Sequence, residues 1–98
     1  MITHIVFFRF KDGILDEKIG EMEERLGRLP SLIGEIRKYE FGRNLFPSER
    51  AYDFALVSSF DSLEALEKYR THPEHLKVLK LINETCDHTR TADIRTAG

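Results

Sequence analysis

Tyr69, His72 and His75 fall within the seven-residue run Tyr69-Arg70-Thr71-His72-Pro73-Glu74-His75. A phenol and two imidazoles around one proline put proton donors and acceptors at a single bend, because proline and the residue before it interrupt a helix. If Pro73 opens a new helix, His75 lies in its first turn, where free backbone N–H groups disfavour the imidazolium and leave a neutral ring fit to act as a general base. Tyr69, one bend earlier, would donate to an enolate oxygen as it forms. The chemistry implied is removal of an acidic proton beside a carbonyl. A plainer reading stands beside it: Tyr69 as a core aromatic whose hydroxyl finds a backbone partner, with His72 and His75 capping the helix junction. A further histidine, His4, sits in the apolar N-terminal run and reads either as part of the site or as a hydrogen-bonded core residue.

These residues need elements to hold them. Ile2 to Phe10 is rich in β-branched and aromatic residues and reads as a first strand, with His4, Val6, Phe8 and Phe10 on one face and Ile5 and Phe7 on the other. After a turn at Lys11-Asp12-Gly13, Leu15, Ile19, Met22, Leu26 and Leu29 make one helical stripe, which Pro30 is expected to end. A second strand is predicted over Ile33 to Phe41. A third is predicted over Tyr52 to Phe60, with Tyr52, Phe54, Leu56 and Phe60 sharing a face. The loop between them carries Arg43, Asn44, Glu49 and Arg50, read as solvated hairpin residues or as a lid meeting an anionic group. Asp61 and Ser62 offer a cap to a helix with Leu63, Leu66 and Tyr69 on one side, ending near Arg70. His72 falls at the next cap. Leu76, Leu79, Ile82 and Cys86 are the predicted inner stripe of the following helix, and Asp87 to Arg95 a last strand with His88 at its edge.

The order is β-α-β-β-α-β with the second helix broken, which predicts an α+β ferredoxin-like sandwich with one antiparallel sheet. Helices cover one sheet face only, so Ile5 and Phe7 on the other predict a homodimer formed through the sheet faces. At 98 residues the chain is a single domain over 1–98. Its 41% hydrophobic and 33% charged residues are globular rather than disordered, and a net charge of −2 without a basic stripe argues against nucleic acid. No apolar run approaches the roughly 20 residues that span a bilayer, so no membrane partner is expected. A lone cysteine, Cys86, excludes an internal disulfide and suits a cytoplasmic location.

Several segments together resemble the stress-responsive dimeric α/β-barrel family. They are His4-Ile5-Val6-Phe7-Phe8-Arg9-Phe10, Gly42-Arg43-Asn44, Tyr52-Asp53-Phe54-Ala55-Leu56, the run from Phe60 to Leu66, and Tyr69-x-x-His72-Pro73-x-His75. The resemblance covers almost the whole chain and implies ferredoxin-like subunits paired through their sheets into a dimeric α/β barrel. It also implies a ligand cavity between sheet and helices. The family includes a plant polyketide cyclase that is similar at His4, Tyr69 and His75, the last two being its catalytic residues, and that has a histidine where this chain has Phe54. The expectation is a mostly apolar pocket with Tyr69, His75 and His4 as catalytic residues and Phe8, Phe54 and His72 as substrate-pocket residues. It would take a small apolar or carbonyl ligand. The reaction expected is that of a cofactor-independent lyase, cyclase or isomerase on an enolisable carbonyl compound; the alternative is a noncatalytic, stress-associated ligand-binding or structural protein. No cofactor is expected. A divalent metal ion on His4 and His75 is the less favoured alternative, because the pair lacks a local ligand spacing.

Overall fold

The computed structural model describes residues 1–97. Its elements are β1 (Ile2–Phe10), α1 (Asp16–Leu32), β2 (Lys38–Arg43), β3 (Phe54–Phe60), α2 (Leu63–Thr71), α3 (Pro73–Thr85) and β4 (Cys86–Arg95). The four strands form one antiparallel sheet in the order β2-β3-β1-β4, the ferredoxin-like arrangement expected from the element order. Along β1, Ile2, His4, Val6 and Phe8 are buried while Phe7 is exposed. The alternation aims one set of side chains at the helices and the other at an uncovered sheet face.

The core lies between that inner face and the helices. Phe8, Phe54 and Phe60 pack there with Met22, Leu26 and Leu29 of α1, each side chain contributing roughly 1.5–3 kcal/mol by leaving water. Leu66 and Tyr69 complete the layer from α2.

Four local features differ from the periodicity. Pro30 lies inside α1 rather than ending it, and Ile33 N–H still bonds Leu29 O at 2.9 Å. Proline's own φ is helical and it forfeits only its N–H, so the last turn can close around it. The second strand begins at Lys38, not Ile33. The run from Ile33 to Arg37 turns instead, with Arg37 Nη1 donating to Gly34 O at 2.9 Å. Tyr52 precedes β3 and stacks on Phe7 of the uncovered face, ring centroids 5.8 Å apart, so it does not share a face with Phe54. In α3 the buried positions are His75, Val78, Leu81, Ile82 and Thr85; of the expected stripe, Ile82 and Cys86 are buried and Leu76 is exposed. The inner face begins at His75 rather than Leu76 and includes Thr85, a histidine and a threonine at positions that hydrophobicity does not mark.

Strand register assembles a polar row on the inner face. Tyr39 of β2 is opposite Ser58 of β3, Ser58 is opposite His4 of β1, and His4 is opposite Asp93 of β4. The neighbouring row of Phe41, Leu56, Val6 and Thr91 is mostly apolar. The helices therefore cover one polar band set in an apolar sheet.

Candidate functional site

A cavity of about 370 Å³ lies between the β1–β4 part of the sheet and the α2–α3 pair. Its apolar lining comes from Val6, Phe8, Leu26, Leu56, Leu79 and Ile82, and its polar end from His4, Tyr69, His75 and Asp93. Glu67, Arg70, Thr71 and Asn83, all exposed, mark its rim. A larger hollow of about 620 Å³ lies beneath the β2–β3 loop on the uncovered side, lined by Phe7, Leu45, Phe46 and Tyr52 among others. It contains no acid–base pair, so the smaller cavity is the candidate site.

The break between α2 and α3 brings Tyr69 and His75 together. In an unbroken helix, residues six apart would be separated by about 9 Å along the axis and point in different directions. Here His72 is extended (φ −63°, ψ 135°), caps both helices and turns the chain. The Tyr69 and His75 rings then meet at a centroid separation of 4.3 Å. Ser62 starts α2 by accepting a hydrogen bond from Ala65 N–H at 3.1 Å, which sets the phase that buries Tyr69.

His75 Nδ1 lies 3.0 Å from Arg70 O. A carbonyl oxygen only accepts, so Nδ1 carries the proton and Nε2 keeps its lone pair. Burial holds the His75 pKa below the usual imidazole value. The bond to Arg70 O opposes that shift, while His4, Arg70 and His72 add to it. The direction is the expected one, but its leading cause is burial rather than the backbone N–H groups of the helix start. Burial raises the Tyr69 hydroxyl to a pKa of about 12, and its hydrogen bond with Tyr39 acts in the opposite direction.

His4 faces Tyr69 edge-on, at 6.1 Å between ring centroids, and its Nδ1 is joined to Asp93 Oδ1. Since the carboxylate accepts, Nδ1 of His4 donates, and in the neutral ring Nε2 is then the nitrogen with the lone pair. The cavity's polar end thus gathers two imidazoles, His4 and His75, each with Nδ1 tied to a protein acceptor, around the Tyr69 phenol.

Of the expected pocket residues, Phe8 lines the cavity and Phe54 and His72 do not. Phe54 is 1% exposed, among Phe8, Phe10 and Phe41. The His72 ring is occupied as the α3 cap, accepting from Glu74 N–H at 3.1 Å. Arg43 pairs with Asp16 and Glu23 of α1 and lines the outer hollow, not this cavity.

Sequence reasoning missed two residues. Tyr39 sets its hydroxyl 2.9 Å from that of Tyr69, and Asp93 holds His4. Each became visible only through strand register, which pairs them with Ser58 and His4. Among the described residues, no three His, Cys, Asp or Glu side chains gather as a metal-holding group, and no helix is long and apolar enough to cross a membrane.

The chain is similar to the stress-response A/B barrel domain-containing protein HS1 of Arabidopsis thaliana, at 26% identity over 96% of this chain and 88% of that protein. It is also similar, at 34% identity and a TM-score of 0.86, to the crystal structure of a dimeric protein of unknown function and ferredoxin-like fold from Bacteroides fragilis, covering 97% of this chain and 95% of that one. A more distant likeness is to the olivetolic acid cyclase of Cannabis sativa, 23% identical over 76% of each chain. The family model for the stress responsive A/B barrel domain matches residues 2–96, and the chain belongs to that family.

Proposed function

We propose that the cavity binds a small, largely apolar carbonyl compound and catalyses proton transfer at the carbon beside its carbonyl, as a cofactor-independent cyclase, lyase or isomerase does. The reading is carried by the close Tyr69–His75 ring contact on the cavity wall, in which His75 has its proton committed to Arg70 O and its Nε2 free. His75 takes the proton, Tyr69 donates to the oxygen that becomes an enolate, and His4, held by Asp93, supplies a second imidazole beside the phenol. Val6, Phe8, Leu56 and Ile82 accommodate the apolar part. The likeness to a cyclase supports this class of reaction.

A noncatalytic, ligand-binding role is the second reading. It is favoured by the absence, among the described residues, of any buried side-chain nitrogen or oxygen without a partner, which is how a purely structural polar cluster would also look.

We further infer that two chains pair through their uncovered sheet faces, where Ile5, Phe7, Val57, Ala92 and Ile94 lie. The similar Bacteroides fragilis protein is described as dimeric. A cytoplasmic location accords with the single buried thiol of Cys86.

The test is deuterium exchange in D₂O at the α-carbon of a β-keto thioester bearing a short alkyl tail, followed by NMR. Exchange above the buffer rate that is lost in Tyr69→Phe and His75→Asn supports the catalytic reading. Tight binding of the same compound with no acceleration moves the function to the second.

A further inference from the structure

Each phenol carries one proton, so the Tyr39–Tyr69 pair has two arrangements, with Tyr39 donating to Tyr69 or the reverse. The surroundings separate them. Tyr69 lines the cavity and Tyr39 does not. Among the described residues, the Tyr39 hydroxyl has Tyr69 as its one hydrogen-bond partner. Were Tyr69 the donor, the Tyr39 proton would face no protein acceptor, and the cavity would see only a lone pair of Tyr69. With Tyr39 as donor, one proton closes the pair and the other is free for a ligand.

We propose that Tyr39 is a positioning residue of the site: its hydroxyl donates to Tyr69 Oη, turns the Tyr69 proton toward the cavity, and stabilises negative charge on that oxygen as the proton moves to a ligand. The use of this proton rests on the acid–base reading above; the arrangement of the two hydroxyls does not. In a chain of O–H groups each hydrogen bond polarises the next, so a ligand oxygen gaining charge meets a stronger donor than a lone buried phenol. Burial and the neighbouring Tyr69 push Tyr39 up further than Tyr69, so Tyr69 is the phenol that ionises first. The other titratable or charged groups about Tyr69 are His75 from α3, His4 from β1 with Asp93 of β4 behind it, and Glu67 and Arg70 at the rim. Among the described residues none of these hydrogen-bonds the phenol oxygen, which Tyr39 alone touches in that way.

The experiment places 3,5-difluorotyrosine, which ionises at far lower pH than tyrosine, at position 69 and follows its ionisation by absorbance, with and without Tyr39→Phe. That substitution removes one hydroxyl and keeps the ring. Losing a hydrogen bond to the charged form raises the position-69 pKa by about one unit, a fall of roughly tenfold in its ionisation constant. An unchanged or lower value overturns the proposal. A second measurement needs no variant: the hydroxyl-proton exchange rates of the unaltered protein by NMR, with the Tyr39 proton exchanging more slowly than the Tyr69 proton. The reverse order, or equal rates, overturns it as well. Neither measurement uses a substrate, so a failed deuterium-exchange assay refutes the catalytic reading without touching Tyr39, and a failed titration does the converse.

Discussion

His4 and Asp93, 89 residues apart in the chain, lie directly opposite one another on β1 and β4 and are joined from Nδ1 to Oδ1. The strand at the edge of the sheet thus supplies the group that orients a histidine on a central strand. His4 is buried, whereas the Asp93 side chain remains about one-third exposed, at 31%.

Substituting Asp93→Asn keeps the side chain's shape and removes the carboxylate. In the native protein, ¹⁵N NMR of the neutral His4 ring is expected to show the proton on Nδ1. An amide can turn either its oxygen or its NH₂ toward the ring, so the variant should populate both tautomers. An unaltered tautomer would mean that the ring is held by packing against Tyr69 alone. The change in stability should be modest, about 1–3 kcal/mol, since the group is partly solvated.

His75 should make stability depend on pH in a definite direction. Its folded-state pKa is below the usual 6.5 because burial disfavours the charged ring. As pH falls below 6.5 the unfolded chain takes up a proton first, so the folded state loses stability from 6.5 down to the lower folded-state value. Its contribution is complete above 6.5. The limiting slope from one histidine is about 1.4 kcal/mol per pH unit. Urea unfolding of the native protein and His75→Asn at several pH values between 5 and 8 isolates this term by difference. Parallel curves would show that His75 titrates as freely in the fold as in the unfolded chain.

How far the site could be read before the fold was known follows from what each residue type advertises. Tyr69, His75 and His4 stand out because phenols and imidazoles are uncommon in apolar periodic segments, and Pro73 announces the bend that brings two of them together. Tyr39 and Asp93 carry no such mark. Tyr39 passes for an ordinary strand aromatic and Asp93 for a surface carboxylate. Only register places them in one row with Ser58 and His4, and a one-residue slip would turn each to the opposite face. The same limit explains Ile33 to Arg37, whose apolar pattern imitates a strand although Gly34 and Arg37 close a turn there. It also explains Phe54: a residue between two aromatic neighbours on an inner face reads equally as pocket wall or core.

Phe54 therefore offers a test of packing rather than of ligand contact. Its ring lies 5.1 Å from that of Phe8 and 5.9 Å from that of Phe41, and it is almost fully buried. Phe54→Ala is expected to cost about 3–5 kcal/mol in denaturant unfolding. Among molecules that remain folded, ligand affinity should change little. A loss of affinity with little loss of stability would return Phe54 to the pocket.

The uncovered sheet face gives the last prediction. Phe7 is 42% exposed and Ile94 is 48% exposed on that face, and beside it the β2–β3 loop holds Leu45 at 94% and Phe46 at 83%. Two adjacent large apolar side chains this open to water are costly in a lone subunit, and they border the hollow that also contains Phe7 and Tyr52. Pairing through this face would bury both groups together. Sedimentation at micromolar concentration should give twice the 11.4 kDa chain mass for the native protein and a single chain mass for Phe7→Glu, because a carboxylate at the centre of the interface would have to be desolvated without a partner. The double substitution Leu45→Ser with Phe46→Ser should weaken pairing less, acting from the rim. Circular dichroism should be unchanged in both, since neither set of residues belongs to the core between sheet and helices. A native protein that sediments as a single chain would remove the interface, and the exposed loop would then need another partner to account for it.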